Sequence, residues 1–238
     1  MTRQAALGVF VFPALLLALC APSTTAAQDG LSVRVAPRFG LVTPDAYLYE
    51  VFANFADDEP DEWTNGSLGR AAFLGLALEL GQENRGLFLR GEVARTFSGW
   101  LSAVHGLVQP RVLFQPPSIA YTWLDVPATL TFANMHVVLP TQFDFLGVRP
   151  YVLAGGGGKW YEFGPPRQEN TVEAILPSGG FTAALELGAG ALFSVQGLSL
   201  DVQIRDSINK YWGKTQHDLV LSAAFRWLLT DQWRFWWG

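Results

Sequence analysis

The segment LSLDVQIR at residues 198–205 alternates apolar and polar residues without interruption. Successive side chains of an extended strand point to opposite faces, so a period of two is the signature of a strand with two unlike faces. The segment therefore predicts a β-strand with one aliphatic face and one polar face, which carries Asp201, Gln203 and Arg205.

The same alternation recurs along the chain and predicts eight strands. Several of them carry ionic residues on the polar side, and the chain opens with an export signal. A barrel in a membrane accounts for both features, because lipid surrounds the apolar faces while the polar faces are enclosed. We therefore predict an all-β fold, an eight-stranded antiparallel up-and-down transmembrane β-barrel. The predicted strands are residues 31–41, 69–80, 87–97, 128–142, 149–163, 179–195, 198–209 and 217–229.

The first 27 residues have the composition of a secretory signal peptide. Arg3 supplies the positive charge, residues 5–19 form a short apolar core, and small residues precede the predicted cleavage before Gln28. A lipoprotein signal ending at Cys20 is the alternative, and the large leucine before that cysteine disfavours it. We expect a signal peptide at residues 1–27 that is removed on export.

Composition limits what the rest of the chain can be. The length of 238 residues suits one barrel at residues 28–229, followed by an aromatic extension at 230–238. No apolar run after the signal approaches the ~20 residues of a spanning helix. The net charge of −5 disfavours a nucleic-acid partner, which needs a basic face. Cys20 is the only cysteine, so the mature chain is expected to have no disulfide and no cysteine-ligated metal.

The predicted connections alternate in length. Residues 42–68, 98–127, 164–178 and 210–216 form the longer ones, and the links after the second, fourth and sixth strands are short. Outer-membrane barrels have short periplasmic turns and longer external loops. This places both chain ends in the periplasm. The acidic run at residues 57–62 lacks the ligand spacing of a calcium loop and is interpreted as a solvated charge run.

These features resemble the small eight-stranded bacterial outer-membrane barrels, the class that includes the OmpA transmembrane domain and OmpX. The glycine-rich run PYVLAGGGG at residues 150–158 is similar to a strand common in such proteins. The chain departs from the class in its last residues, because 230–238 follow the predicted final strand. No peptidoglycan-binding domain follows the barrel, so no cell-wall tether is expected. The resemblance implies assembly by the barrel-assembly machinery and contact with outer-membrane lipid and lipopolysaccharide.

The inward-facing charges of the predicted strands nearly balance. An eight-stranded barrel has an interior that side chains just fill, so we predict a packed ionic network rather than an open pore. A salt-bridge plug that opens is the alternative. The predicted network contains Arg34, Arg38, Glu79, Arg90, Glu92, Glu186, Asp201, Arg205 and Arg226.

Aromatic residues gather near the carboxyl end. Tryptophan rings favour the membrane–water interface, where one edge is apolar and the other is hydrated. We predict an interfacial belt that comprises Trp227, Trp233, Phe235, Trp236 and Trp237.

Glycines 155–158 precede Lys159 and suggest a phosphate-binding loop. That motif needs a glycine at Leu153 and a hydroxyl residue at Trp160, so it fails. We interpret the glycines as positions where a strand coils sharply and leaves room for bulky lumen residues opposite.

The sequence gives little support for catalysis. His105, His136 and His217 are the histidines, and only His217 has an acid and a serine nearby, at Asp218 and Ser222. We predict no enzymatic activity, no cofactor and no metal.

The predicted role is therefore structural or surface-interacting, with any ligand bound by loops 42–68 and 98–127. The alternatives are a lipid-modifying membrane enzyme, a narrow channel or carrier for small or apolar solutes, and a soluble lipocalin-type barrel.

Overall fold

Alternation of side chains produces eleven β-strands in the computed structural model, which describes residues 31–44, 49–53, 62–82, 87–97, 99–109, 118–165, 179–195, 198–211 and 213–233. The predicted signal peptide and residues 234–238 lie outside the described residues. The described residues contain no helix long and apolar enough to cross a membrane. The strands are β1 (Leu31–Thr43), β2 (Tyr49–Ala53), β3 (Glu62–Leu68), β4 (Ala71–Gln82), β5 (Leu87–Phe97), β6 (Gly99–Gln109), β7 (Ser118–Pro140), β8 (Val148–Phe163), β9 (Gly180–Val195), β10 (Leu198–Tyr211) and β11 (Lys214–Trp233).

Eight of these strands close into a barrel. In order around the wall they are β1, β4, β5, β7, β8, β9, β10 and β11, and β11 pairs back with β1. Every pairing is antiparallel, and each barrel strand lies beside the next barrel strand along the chain. The predicted eight-stranded up-and-down barrel is confirmed.

The strands are strongly tilted. Paired residues traced once around the wall from Thr131 in β7 return to Thr141, which directly follows β7 and lies ten residues further along the chain. Such a stagger accompanies a strand tilt of roughly 35–45° and an interior that side chains can fill in an eight-stranded barrel. The route passes through Arg95, Leu74, Phe39, Ala223, Val202, Ala191 and Pro150.

The two faces of the wall differ as predicted for residues 198–205. Asp201, Gln203 and Arg205 are buried inside the barrel, whereas Ile204 is 46% exposed on the outside. The same division holds on β4, where Phe73 and Glu79 are buried and the leucines between them are exposed. Apolar residues therefore coat the outside of the barrel.

Strand pairing continues beyond the barrel, which corrects the prediction of loops at residues 42–68 and 98–127. β3 pairs with β2 and β6, and β6 pairs with the first half of β7. These segments form a four-stranded sheet, here named the projecting sheet (β2, β3, β6 and residues 118–128 of β7). Leu101, Ala103 and Val126 are buried on its inner face, while Ser102 and Asp125 are exposed on its outer face.

Other boundaries also differ from the prediction. The connection predicted at 210–216 is shorter than expected, because Tyr211 pairs with Lys214. β11 ends at Trp233 instead of residue 229. The register of β1 against β11 shifts between Leu31 and Arg34.

The barrel has two unlike ends. Residues 83–86, 141–147 and 196–197 connect strands at one end, named the short-turn end, where β1 begins and β11 finishes. The projecting sheet rises from the other end, named the sheet end. Along β5 the inward residues run from Phe88 at the short-turn end through Arg90 and Glu92 to Ala94. The interior is thus layered, with a charged middle between two apolar clusters.

Candidate functional site

Asp201 lies at the centre of the charged layer. Its carboxylate accepts hydrogen bonds from Arg38 Nη2 at 2.6 Å and from Tyr151 Oη at 2.5 Å. Arg90 Nη2 lies 2.8 Å from the same carboxylate. The four residues come from β10, β1, β8 and β5, so this cluster ties together strands from opposite parts of the wall.

Glu92 and Arg205 form a two-pronged pair across the lumen. Nη1 and Nη2 of Arg205 donate to the two carboxylate oxygens of Glu92, each at 2.8 Å. Arg38 Nε lies 3.4 Å from Glu92, and all three side chains are fully buried. Parallel donation of this kind is among the stronger hydrogen-bonded arrangements in proteins.

Glu79 links the charged layer to the short-turn end. It accepts from Arg90 Nε at 2.9 Å and from Arg226 Nε at 2.8 Å. Arg226 also donates to Ser199 at 3.2 Å. Arg34, the remaining predicted member, lines a cleft at the mouth of the short-turn end and donates to the hydroxyl of Ser32 at 3.1 Å.

Glu186 has partners that the sequence prediction missed. His136 Nε2 lies 2.5 Å from one oxygen, and Asn134 and Ser207 each donate to the other at 2.8 Å. Arg205 Nε is 3.2 Å from the carboxylate. Asn134 and His136 alternate inward on β7 together with apolar residues, which obscured the polar face of that strand in the sequence.

A second missed element is the pair Lys159–Asp218. Lys159 Nζ lies 2.5 Å from the carboxylate of Asp218, and both side chains are buried. Asn209 donates to the same oxygen at 3.3 Å. Lys159 shares the inward face of β8 with Tyr151 and Tyr161. The period of two along that strand was the signal that could have placed it in the lumen.

Charges in the described lumen balance one for one. Eight of the nine predicted residues are joined by ion pairs into one network, and Lys159 and Asp218 form a further buried pair. A buried charge without a partner would cost several kcal/mol, so equal numbers are what a dry interior requires. The cations are Arg38, Arg90, Lys159, Arg205 and Arg226, and the anions are Glu79, Glu92, Glu186, Asp201 and Asp218.

Apolar side chains cover the charged layer on both sides. At the short-turn end the cluster includes Phe88, Val138 and Leu153. At the sheet end Phe73 and Phe132 meet edge to face, with ring centroids 5.2 Å apart. Arg205 lies over the Phe132 ring, with its guanidinium carbon 5.5 Å from the ring centroid. These clusters flank the charged layer toward both mouths of the described barrel, and Arg226 reaches past Phe88 to line the cleft at the short-turn end.

Glycines provide the space that these side chains occupy. A methyl group at Gly155 would overlap the Met135 carbonyl oxygen and the backbone of His136. One at Gly190 would overlap the ring of Tyr151. The interpretation of the glycine run as a place for bulky lumen residues therefore agrees with the geometry at Gly155.

The predicted aromatic belt is only partly described. Trp227 is 51% exposed on the outer wall and stacks with Phe225 at a centroid distance of 6.3 Å. Trp233 is placed by its backbone as the last residue of β11, paired with Leu31. Phe235, Trp236 and Trp237 lie outside the described residues.

The wall separates the residues considered for catalysis. His217 points outward, where its Nδ1 lies 2.9 Å from Asp206 Oδ2 in hydrogen-bond contact. Asp218 and Ser222 point inward, to Lys159 and Arg38 respectively. The described residues hold no group of three or more metal-ligating side chains. Residues 57–61 of the acidic run lie outside the described part, and the side chain of His105 is not described.

Comparison with known proteins gives a likeness of fold. No family model and no curated protein matches the chain significantly. The N-terminal β-barrel domain of Pseudomonas aeruginosa OprF is 13% identical, covers 84% of this chain and 100% of its own, and has a TM-score of 0.42. Neisserial surface protein A is 15% identical, with coverages of 83% and 98% and a TM-score of 0.45. The Yersinia pestis attachment invasion locus protein Ail, solved with the heparin analogue sucrose octasulfate, is 13% identical, with coverages of 83% and 97% and a TM-score of 0.39.

Proposed function

We propose that the chain is an integral outer-membrane β-barrel with a structural or surface-interaction role and no catalytic activity. The observation that carries the proposal is the inverted polarity of the barrel. Charged side chains fill its interior, and large apolar side chains cover its exterior. A water-soluble barrel of lipocalin type would place these residues the other way round.

The exterior is too apolar for water. Leu74, Leu76 and Leu78 on β4 are 61%, 55% and 47% exposed, and Leu219 and Leu221 on β11 are 47% and 49% exposed. Soluble monomers rarely expose contiguous apolar patches larger than a few hundred Å². A hydrocarbon environment removes that penalty, and strand closure satisfies the backbone there.

The height of the apolar band fits a bilayer. On the outer face of β11 it runs from the exposed ion pair of His217 to Trp227. Ten residues at ~3.3 Å each, tilted by about 40°, give a height of roughly 25 Å. Outer-membrane barrels carry an apolar band about 25 Å tall between two interfacial girdles. The exposed pair Arg95–Glu162, at 2.6 Å, lies near the boundary of the apolar band at the sheet end.

Export and assembly complete this proposal. Residues 1–27 would act as a cleaved signal. The barrel-assembly machinery would then insert the strands into the outer membrane, with lipopolysaccharide around the half of the barrel nearer the sheet end. Mass spectrometry of the protein purified from membranes tests the cleavage, because the predicted mature chain begins at Gln28. A chain that retains Cys20 would contradict it.

The projecting sheet is the proposed site of surface interaction. It stands at the end opposite both barrel termini, and exposed side chains such as Trp123, at 65%, line its outer face. Large aromatic residues favour recognition because they bury much area with few rotatable bonds. Any surface ligand of loops 42–68 and 98–127 would therefore meet sheet residues as well as loop residues.

Insertion into lipid is the decisive experiment. The protein, refolded into phospholipid vesicles, should remain with the membrane after carbonate washing and should migrate differently on a gel before and after boiling. A monomer that stays dissolved without detergent would overturn the proposal.

The alternatives have their own readouts. Steady currents in planar bilayers would support a channel, and fatty-acid release from lipid A would support an enzyme. We expect neither, because ion pairs and aromatic rings fill the lumen and the candidate catalytic residues lie on opposite faces of the wall.

A further inference from the structure

The turn between β7 and β8 carries large apolar side chains in exposed positions. Phe143 is 66% exposed, Phe145 is 61% exposed and Leu146 is 85% exposed. They lie at the short-turn end, outside the paired part of the wall. Three large apolar residues on one short turn would be costly if water surrounded it.

The backbone of the turn is fixed in a specific shape. Phe145 and Val148 exchange two backbone hydrogen bonds, at 3.0 and 2.9 Å, and the residues between them have positive φ angles of 54° at Leu146 and 79° at Gly147. This is a two-residue hairpin loop of type I′, in which asparagine or glycine is preferred at the first position. Leucine is strained there, and such strain persists where the surroundings favour the residue for another reason.

The apolar side chains continue the outer face of the barrel. Leu139 is 50% exposed on the outer face of β7, and Phe143 and Phe145 follow it at even spacing. Their rings stack, with centroids 6.5 Å apart. Asp144, between them, faces the other way, where it lines the cleft at the mouth and lies 3.6 Å from Arg149. The turn is therefore apolar toward the outside and polar toward the lumen.

We propose that Phe143, Phe145 and Leu146 insert into the periplasmic leaflet of the membrane as an apolar wedge. This inference rests on the proposed membrane location. Lipid is the occupant because the wedge is continuous with the lipid-facing band and the polar side of the turn is directed away from it. Ser194 donates its backbone N–H to Gly147 O at 2.9 Å, which holds the turn against β9. The wedge thus extends the buried height of the barrel on the β7–β8 side only.

Site-directed fluorescence tests the wedge in the full chain refolded into phosphatidylethanolamine–phosphatidylglycerol vesicles. Cys20→Ser removes the only thiol, and an environment-sensitive fluorophore is then attached to Leu146→Cys, Asp144→Cys or Val152→Cys. Asp144 is the matched control on the polar side of the same turn, and Val152 reports the lipid-facing wall. Unboiled gel migration establishes that each variant is folded.

We expect the label at 146 to emit at shorter wavelength than the label at 144. Brominated lipid should quench the label at 146, and iodide in the water should quench it much less than it quenches the label at 144. Equal iodide quenching at 146 and 144, with 152 quenched by lipid, would refute the wedge and leave the barrel in the membrane. A label at 152 that lipid does not quench would refute the membrane location itself. A blue shift at 146 that depends on protein density and not on brominated lipid would show contact between copies, which also refutes the wedge.

Discussion

Replacement of Glu92 by methionine tests whether the lumen ion pairs hold the barrel together. The carboxylate accepts two hydrogen bonds from Arg205, both at 2.8 Å, and lies 3.4 Å from Arg38 Nε. Each charge-assisted bond contributes roughly 1.5–3 kcal/mol. After the change Arg205 keeps only Glu186 as a charged partner, at 3.2 Å. Breaking one buried pair typically costs about 3–5 kcal/mol, so we expect a decrease of that size in the free energy of unfolding.

The double variant separates the pair from its surroundings. Arg205→Met alone should lower the free energy of unfolding by a similar amount, because it removes a cationic partner from both Glu92 and Glu186. Glu92→Met with Arg205→Met restores equal numbers of charges in the lumen. We therefore expect the free energy of unfolding to decrease less in the double variant than the sum of the two single decreases, with a coupling energy of about 2–3 kcal/mol.

Urea unfolding in lipid vesicles, followed by the fluorescence of the nine tryptophans, measures these differences. Glu162→Met is the control, since Glu162 and Arg95 form a bond of 2.6 Å but are 55% and 58% exposed. An exposed pair contributes about 1 kcal/mol or less, so that variant should unfold nearly like the parent. If the Glu92 and Arg205 effects add within about 0.5 kcal/mol, the two residues are not coupled and the reasoning fails.

Three further substitutions probe the wall and the packing, each by the same unfolding measurement. Gly155→Ala should destabilise by about 1–3 kcal/mol through overpacking, whereas Gly91→Ala, with nothing within 4 Å of the added carbon, should not; equal effects would contradict the packing argument. Leu187→Arg, on the exposed outer face, should cost about 2–4 kcal/mol if it lies near the bilayer midplane, and an unchanged midpoint would mean that lipid does not contact it. Tyr151→Phe removes the hydroxyl that donates to Asp201 at 2.5 Å and should cost about 1.5–3 kcal/mol; no loss would exclude that bond from the network.

The barrel could be predicted because an apolar exterior and a charged interior give most wall strands a period of two. β5 runs over residues 87–97 as predicted. The contrast fades toward the sheet end, where the lumen becomes apolar. On β7 the inward residues Leu130 and Phe132 are apolar while the outward Thr131 is polar, so alternation alone could not assign the faces there.

The projecting sheet escaped prediction for a related reason. In this sheet the polar Ser102 and Asp125 face outward while Leu101 and Val126 are buried. This is the reverse of the pattern in the barrel wall. Proline cannot donate to a strand ladder and so disfavours a strand in the sequence, yet Pro127 lies within β7 and pairs with Trp100 of β6.

The sequence predicted which charges face inward, but it could not predict how they pair. Partners come from distant parts of the wall, such as Glu92 on β5 and Arg205 on β10. Which residues meet across the lumen depends on the stagger of the strands, and no local pattern encodes that stagger. Lys159 follows a glycine run that suggests a phosphate loop, and only the closed barrel places it on the inner face of β8.

One strand, β7, passes without interruption from the projecting sheet into the barrel wall, over residues 118–140. The projecting sheet is therefore part of the barrel wall and not a separate unit on a linker. A force applied to the sheet would act directly on the wall, and the sheet would tilt together with the barrel. If the proposed membrane location holds, a force on the projecting sheet would thus reach the barrel wall through one continuous strand.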